Sequence, residues 1–297
     1  MSRKTGRIRD LTRLLRPESW TKNLLVFAGL FFSHKLLDSA ALILTVKAFF
    51  SFCFVSSSIY VINDMADRKA DALHPDKCER PIASGRVTPL AASLLAMLML
   101  ALSLSIALTL VRSFTMVVIS YFLLVILYTF VLKHMVILDV LAIALGFVLR
   151  AVSGAVVINV QISPWLLSCT LLMALFLALA KRRGELTTLG EDPGRHRVSL
   201  GQYTPEYLNL LLAIVTCAVI MCYVLYTFSD RTVTQLGTDS LKYTVPVVIY
   251  GIFRYLFLVV VKGKGGRPER LLFQDRGMLV TILIWIMGTG AVIYFKP

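Results

Sequence analysis

Three aspartates stand at positions 64, 67 and 71. Spacings of i, i+3 and i+7 put Asp64, Asp67 and Asp71 on one face of a helix, one above the next. Stacked like charges repel, so the arrangement calls for a cation. The three follow an apolar run from Phe49 to Ile62, which reads as the inner half of a membrane span. Acidic groups at such a depth are expensive, and their presence points to function. Mg2+ is the natural occupant, because it takes one or two carboxylates and completes its shell with water and substrate phosphates. Asp64, Asp67 and Asp71 are therefore the candidate metal ligands and catalytic residues.

Other polar residues have types suited to anions. Asn63 offers a neutral amide beside the first aspartate, and Lys77, Arg80 and Arg86 follow the third. Arginine gives a bidentate fork and lysine a point charge, so this loop can hold a diphosphate that a metal also bridges. The competing account is a solvated, charge-balanced helix end. Lys22 and Asn23 open an apolar run just after Trp20, which is equally well explained as an interfacial aromatic. Tyr128, Lys133, His134 and Asp139 can form a polar rim around one tight turn. Arg150 lies well inside an apolar segment and must face a cavity or a partner. Lys181, Arg182 and Glu185 end another span, where a stop signal or a simple i, i+4 ion pair is the alternative. The glycine-rich stretch from Gly263 to Gly266 can bring backbone amides close to an anion, although a plain flexible loop fits it slightly better. There is no nucleotide-binding glycine motif and no Cys/His zinc spacing.

Composition says what positions these groups. The chain is 57% hydrophobic with a mean hydropathy of +0.77, against an ordinary apolar share of about 45–50%. It is expected to be an all-α polytopic membrane protein. Nine transmembrane helices are predicted at 23–38, 41–62, 90–111, 114–132, 139–158, 163–180, 207–228, 241–261 and 278–295, the first being short. The net charge of +14 is unevenly placed. Seven basic residues fall in the N-terminal arm, five in 63–89, five in 181–206 and five in 262–277, with Lys133 on the same side. Lys35, Arg112, Arg231 and Lys296 fall on the other. That asymmetry predicts a cytoplasmic N-terminus and a cytoplasmic polar face. Residues 1–22 read as a basic cytoplasmic arm and 23–297 as one transmembrane domain. Contact with anionic membrane lipids accounts for much of the arm, and no nucleic-acid partner is expected. Four of the five cysteines lie in spans and Cys78 on the reducing side, so no disulfide framework is expected. The first apolar run lacks a cleavage pattern, so no cleavable signal peptide is expected.

Taken together, these residues resemble the UbiA superfamily of intramembrane prenyltransferases. The superfamily's N-D-x-x-D-x-x-x-D type motif is matched by Asn63, Asp64, Asp67 and Asp71, and its R-P-x-x-x-G by Arg80, Pro81 and Gly85. The aromatic prenyltransferases carry a second D-x-x-x-D motif, and here that region reads Lys181-Arg182-Arg183-Gly184-Glu185-Leu186. This departure is similar to the decaprenyl-phosphate phosphoribosyltransferase branch, with R-P-x-x-W-x-K-N at Arg16–Asn23, L-K-H at Leu132–His134, R-A-x-x-G at Arg150–Gly154, K-R-x-x-E-L at Lys181–Leu186 and P-E-x-x-L-x-x-D-R at Pro268–Arg276.

The resemblance implies helices around a central cavity open to the cytoplasm, in a bacterial inner membrane. It implies transfer of 5-phosphoribosyl from phosphoribosyl diphosphate to a polyprenyl phosphate with Mg2+ and loss of diphosphate, as a step toward cell-wall arabinan precursors. A homo-oligomer is compatible with it. The alternative is a prenyltransferase that moves an isoprenyl group from its diphosphate to an aromatic or other acceptor. A transporter is disfavoured, since there is no internal repeat, no pair of broken spans, and nearly all polar groups sit at one face.

Overall fold

The computed structural model describes residues 2–73, 77–188, 199–263, 271–272 and 274–295, with side chains from residue 9 onward. In lipid every backbone polar group must be satisfied within its own segment, so the long apolar runs fold as helices. Eight helices among the described residues are long and apolar enough to cross a membrane, and the chain is a multi-pass helical membrane protein.

The helices are α1 (Ser2–Leu15), α2 (Ala28–Phe32), α3 (Ser39–Ala66), α4 (Arg68–Ala72), α5 (Pro89–Leu108), α6 (Arg112–Phe130), α7 (Leu138–Val157), α8 (Pro164–Thr188), α9 (Pro205–Phe228), α10 (Asp230–Leu236), α11 (Val245–Val260) and α12 (Arg276–Tyr294). Four of the long helices start at a side-chain cap. Asp38 accepts from Ala40 N and Ala41 N, Thr88 from Ala91 N, Thr204 from Tyr207 N and Asp275 from Met278 N. Pro89 and Pro205 sit in the first turn, where a missing N–H costs nothing.

The span predicted at 23–38 is different. Pro17–Phe27 is a 3₁₀ segment and only Ala28–Phe32 is α-helical. The longer 3₁₀ rise gives these sixteen residues a length of about 30 Å, close to the thickness of a hydrocarbon core. Packing explains the irregular backbone. A Cβ on Gly154 of α7 would lie 1.7 Å from the carbonyl oxygen of Val26, and one on Gly29 would lie 2.7 Å from Ala155 N. The two backbones touch where neither can carry a side chain.

The chain divides into two compact units. The first comprises Met1–Lys133 and Leu149–Gln161. Its α3 and α5 approach closely through small residues, with Ala48, Ala92, Ala96 and Ala107 buried. Ser51 Oγ donates to Ser103 O at 3.1 Å, Ser103 Oγ to Ser51 O at 2.8 Å and Ser58 Oγ to Ala96 O at 2.8 Å. Small residues and interhelical hydrogen bonds are how helices associate where water gives no hydrophobic drive. Phe52, Phe114 and Tyr121 form its aromatic centre, with ring centroids 6.1 and 5.2 Å from Phe52. Leu14 of α1 is buried with Val61, Ile82 and Val87, so the basic arm packs on the end of α3.

The second unit comprises His134–Val148 and Ile162–Pro297. Its core joins Val140, Phe176, Leu179, Leu208, Leu212, Tyr255 and Leu258. Arg183 is buried there, donating to Asn209 Oδ1 at 2.6 Å and to the carbonyls of Val259 and Val260 at 3.0 and 3.3 Å. A guanidinium thus caps the negative end of α11.

Candidate functional site

The aspartates do not form one uninterrupted stack. Helix α3 ends at Ala66, Asp67 is the joint (φ −90°, ψ 4°), and α4 begins at Arg68. Asp64 lies in the last turn of α3 and Asp71 in α4, both buried. Arg80 Nη1 donates to Asp64 Oδ1 at 2.9 Å and to Asp71 Oδ2 at 2.7 Å. Arg16 Nη2 donates to the same Asp64 oxygen at 2.5 Å. Asp67 has other partners: Lys133 Nζ donates to its Oδ1 at 2.5 Å and Asn63 Nδ2 to its Oδ2 at 3.1 Å. The like-charge repulsion expected from the spacing is relieved in two ways. One aspartate turns to a separate cation, and the other two share an arginine.

Arg16 is the member that sequence spacing did not single out as a site residue. It adopts a left-handed backbone (φ 49°, ψ 58°) ahead of Pro17, where the helical region is disfavoured. Such a backbone in a non-glycine residue costs about 1–3 kcal/mol and persists only when its surroundings over-determine it. Ser57 supplies the restraint: its hydroxyl donates to Leu15 O at 2.8 Å and accepts from Trp20 Nε1 at 3.0 Å. Trp20 is thus bound to α3, a role its sequence position alone did not distinguish from interfacial anchoring. The Arg16 guanidinium lies 5.1 Å from the centroid of the Tyr60 ring. The only sequence signal for it was the R-P-x-x-W pattern.

Deeper in the same unit, Arg150 Nε donates to Asn23 Oδ1 at 2.8 Å and Nη2 to the Tyr121 hydroxyl at 2.6 Å. Its guanidinium carbon lies 4.7 Å from the Tyr121 ring centroid. Asn23 in turn donates to Ser56 Oγ at 3.2 Å. The costly buried arginine has polar and aromatic partners supplied by the 3₁₀ segment and α6. Lys22 and Tyr128 are half-buried, and Lys77 lies half-exposed in the turn after α4.

The remaining candidates belong to the second unit. Arg182 and Asp139 are fully buried together, Nε to Oδ2 at 2.8 Å. Tyr203 donates to Asp139 Oδ1 at 2.9 Å and accepts from Ile137 N at 2.8 Å. Burial, with the Asp139 charge beside it, pushes the Tyr203 phenol well above its ordinary pKa, so it remains a donor. This knot fixes the start of α7 just after Ile137, whose φ is 70°. Glu185 accepts from Arg182 Nη1 at 2.5 Å and lies 4.0 Å from Lys181 Nζ. His134 is exposed in a 3₁₀ turn. Gly190 to Arg197, His74 to Asp76 and Lys264 to Arg270 lie outside the described residues. Asp275 takes two N–H groups of Arg254, at 3.2 and 2.9 Å. That guanidinium holds its carboxyl below the usual carboxylate range.

Among the described residues no group of three or more His, Cys, Asp or Glu side chains gathers as a metal site. The donor chemistry nonetheless fits a hard divalent cation. Asp64 Oδ1 and Asp71 Oδ2 converge on one point, where Arg80 Nη1 now stands. Two carboxylate oxygens converging on one cation are what Mg2+ takes from a protein when substrate phosphates complete its shell.

The model of the UbiA prenyltransferase family matches residues 23–189. The chain is 35% identical to a decaprenyl-phosphate phosphoribosyltransferase of Mycolicibacterium smegmatis, over 97% of this chain and 94% of that one. It is 33% identical to the Corynebacterium glutamicum protein of the same name, over 97% and 87%. A UbiA homolog from Archaeoglobus fulgidus, solved bound to DMAPP and Mg2+, superposes with a TM-score of 0.76 at 20% identity, covering 96% of this chain and 99% of that one. With its helices, its aspartate motif and these matches, the chain belongs to the UbiA prenyltransferase family.

Proposed function

We propose that the protein is a transferase that moves 5-phosphoribosyl from phosphoribosyl diphosphate to a polyprenyl phosphate and releases diphosphate. The similarity of nearly the whole chain to decaprenyl-phosphate phosphoribosyltransferases carries this reading. The first cluster supports it chemically. In this reaction an acceptor phosphate oxygen forms a bond to ribose C1 as the bond from C1 to the diphosphate oxygen breaks. The acceptor is already ionised, so no strong base is required. What must be stabilised is negative charge gathering on the leaving diphosphate.

Asp64 and Asp71 would hold Mg2+, which supplies charge neutralisation at the leaving group when bound, and Asp67 would have to turn from Lys133 to join them. Arg80 and Lys77 bind the diphosphate oxygens, and Asn63 and Lys133 orient Asp67. Asn23 and Arg150, bonded to each other, together with Lys22 and Tyr128 of the same unit, would orient a phosphate or the ribose. In the second unit Asp139 fixes Arg182, which orders Glu185 and Lys181 at the end of α8, with His134 at the turn before α7. The lipid tail of the acceptor stays in the bilayer. The positive-inside asymmetry supports an orientation with the aspartates on the cytoplasmic side, and the bacterial relatives support a bacterial cytoplasmic membrane.

The test is incubation of the purified protein with ribose-labelled phosphoribosyl diphosphate, a polyprenyl phosphate and Mg2+. Label should pass into lipid. Label entering product only from an isoprenyl diphosphate would replace this reading with prenyl transfer.

A further inference from the structure

Carboxylates meant for a metal are here closed off by the protein's own cations. The side chains of Asp64 and Asp71 are only 3% and 5% exposed, whereas those of Arg16 and Arg80, which cover them, are 23% and 26% exposed. A cation from solution therefore meets guanidinium before carboxylate. To reach Asp64 it must break charge-assisted bonds of 2.5 and 2.9 Å, and to reach Asp71 one of 2.7 Å. Such bonds are about twice as strong as neutral ones. A bare cation that breaks them leaves two part-buried guanidinium groups without those acceptors. A cation arriving with diphosphate brings replacement acceptors, because phosphate oxygens match the guanidinium fork.

We propose that Arg16 and Arg80 are exchangeable counter-ions of the aspartates. They neutralise Asp64 and Asp71 while the site is empty of donor, and they turn to phosphate oxygens when a divalent cation and diphosphate enter together. Metal and diphosphate then bind as a unit, each weakly alone. Linkage requires the coupling to be reciprocal: the factor by which diphosphate strengthens cation binding equals the factor by which the cation strengthens diphosphate binding.

Arg16 is suited to this exchange by its anchoring. Its backbone is held by the Leu15–Ser57–Trp20 hydrogen bonds and its guanidinium rests against Tyr60. The charged end can change partner while the stem stays in place. Ser57 and Trp20 act through it as positioning residues.

The inference rests on the reading that diphosphate and a divalent cation occupy this site, and inorganic diphosphate tests it without either organic substrate. The experiment is calorimetric titration of the full chain with MgCl2 alone, with inorganic diphosphate in EDTA, and with both, corrected for their complex in solution. Mg2+ should bind at least about tenfold more tightly when diphosphate is present, within the range of typical coupling energies.

Arg16→Gln should move the two ligands in opposite directions. Mg2+ alone should bind about tenfold more tightly, and diphosphate at saturating Mg2+ about tenfold more weakly. Arg16→Lys, which keeps the charge, should leave Mg2+ alone as weak as in the wild type. Equal Mg2+ affinity with and without diphosphate would overturn the proposal while leaving phosphoribosyl transfer intact. So would an Arg16→Gln protein that loses affinity for both ligands, which is the mark of a purely structural role. If Arg16→Gln does not fold, the wild-type coupling decides alone. Absence of labelled lipid in the transfer assay bears on the donor and acceptor and not on this exchange.

Discussion

Lys133 Nζ donates to Asp67 Oδ1 at 2.5 Å, joining residues 66 apart in sequence. The turn after α6 therefore reaches the joint between α3 and α4. The side chains are 15% and 30% exposed, so water screens the pair only in part and it contributes about 1 kcal/mol to stability. Lys133→Met should leave the unfolding midpoint in detergent nearly unchanged. It should lower label transfer to lipid by about 10²-fold, the cost of one group lost from charge stabilisation. Equal losses of fold and activity would make the contact merely structural.

Asp64 carries two guanidinium groups at once. Asp64→Asn should cut transfer by about 10²–10³-fold. It should also lower stability by about 2 kcal/mol, since charged hydrogen bonds are lost. A variant that purifies and turns over at the wild-type rate would remove the aspartate from the reaction.

Gly154 has no room for a methyl group, because its Cβ would lie 1.7 Å from Val26 O. The obstacle is backbone, which cannot rotate away. Gly154→Ala should cost about 3 kcal/mol or more, seen as a large fall in the thermal midpoint or loss of folded protein. Wild-type stability would mean that the 3₁₀ segment and α7 do not touch as described.

Asp139 and Arg182 are buried as a pair. Arg182→Met alone should destabilise by about 3–5 kcal/mol, because it strands a buried carboxylate. The double change Asp139→Leu/Arg182→Met should recover part of that loss. Thermal unfolding of the two single variants and the double variant gives the coupling energy, and a strictly additive result would deny the pair.

Much of the architecture was legible because the bilayer leaves few options. Apolar runs of adequate length become helices, and seven of the eight described spans lie within four residues of the expected ones, while Pro164–Thr187 runs seven residues past the expected end at 180. The exception at 23–38 arose because hydrophobicity reports burial in lipid and not the backbone form that burial takes. The 3₁₀ geometry there follows from the close approach of Val26 to Gly154 and of Gly29 to Ala155, a contact between distant segments.

By itself, the order of residues determined the class of fold, the membrane setting and the acidic centre at Asp64, Asp67 and Asp71. Period and charge are local properties that survive without coordinates. Only the tertiary structure decided how that centre is neutralised. Arg16, Arg80 and Lys133 come from three separate segments, and their ranking as partners depends on distances that no spacing encodes. It also decided that Asp139 and Arg182 close on each other and that Asp67 turns away from Asp64 and Asp71. The physical reason is common to all of these. A buried charge takes the nearest opposite charge that packing delivers, and packing is a property of the folded chain.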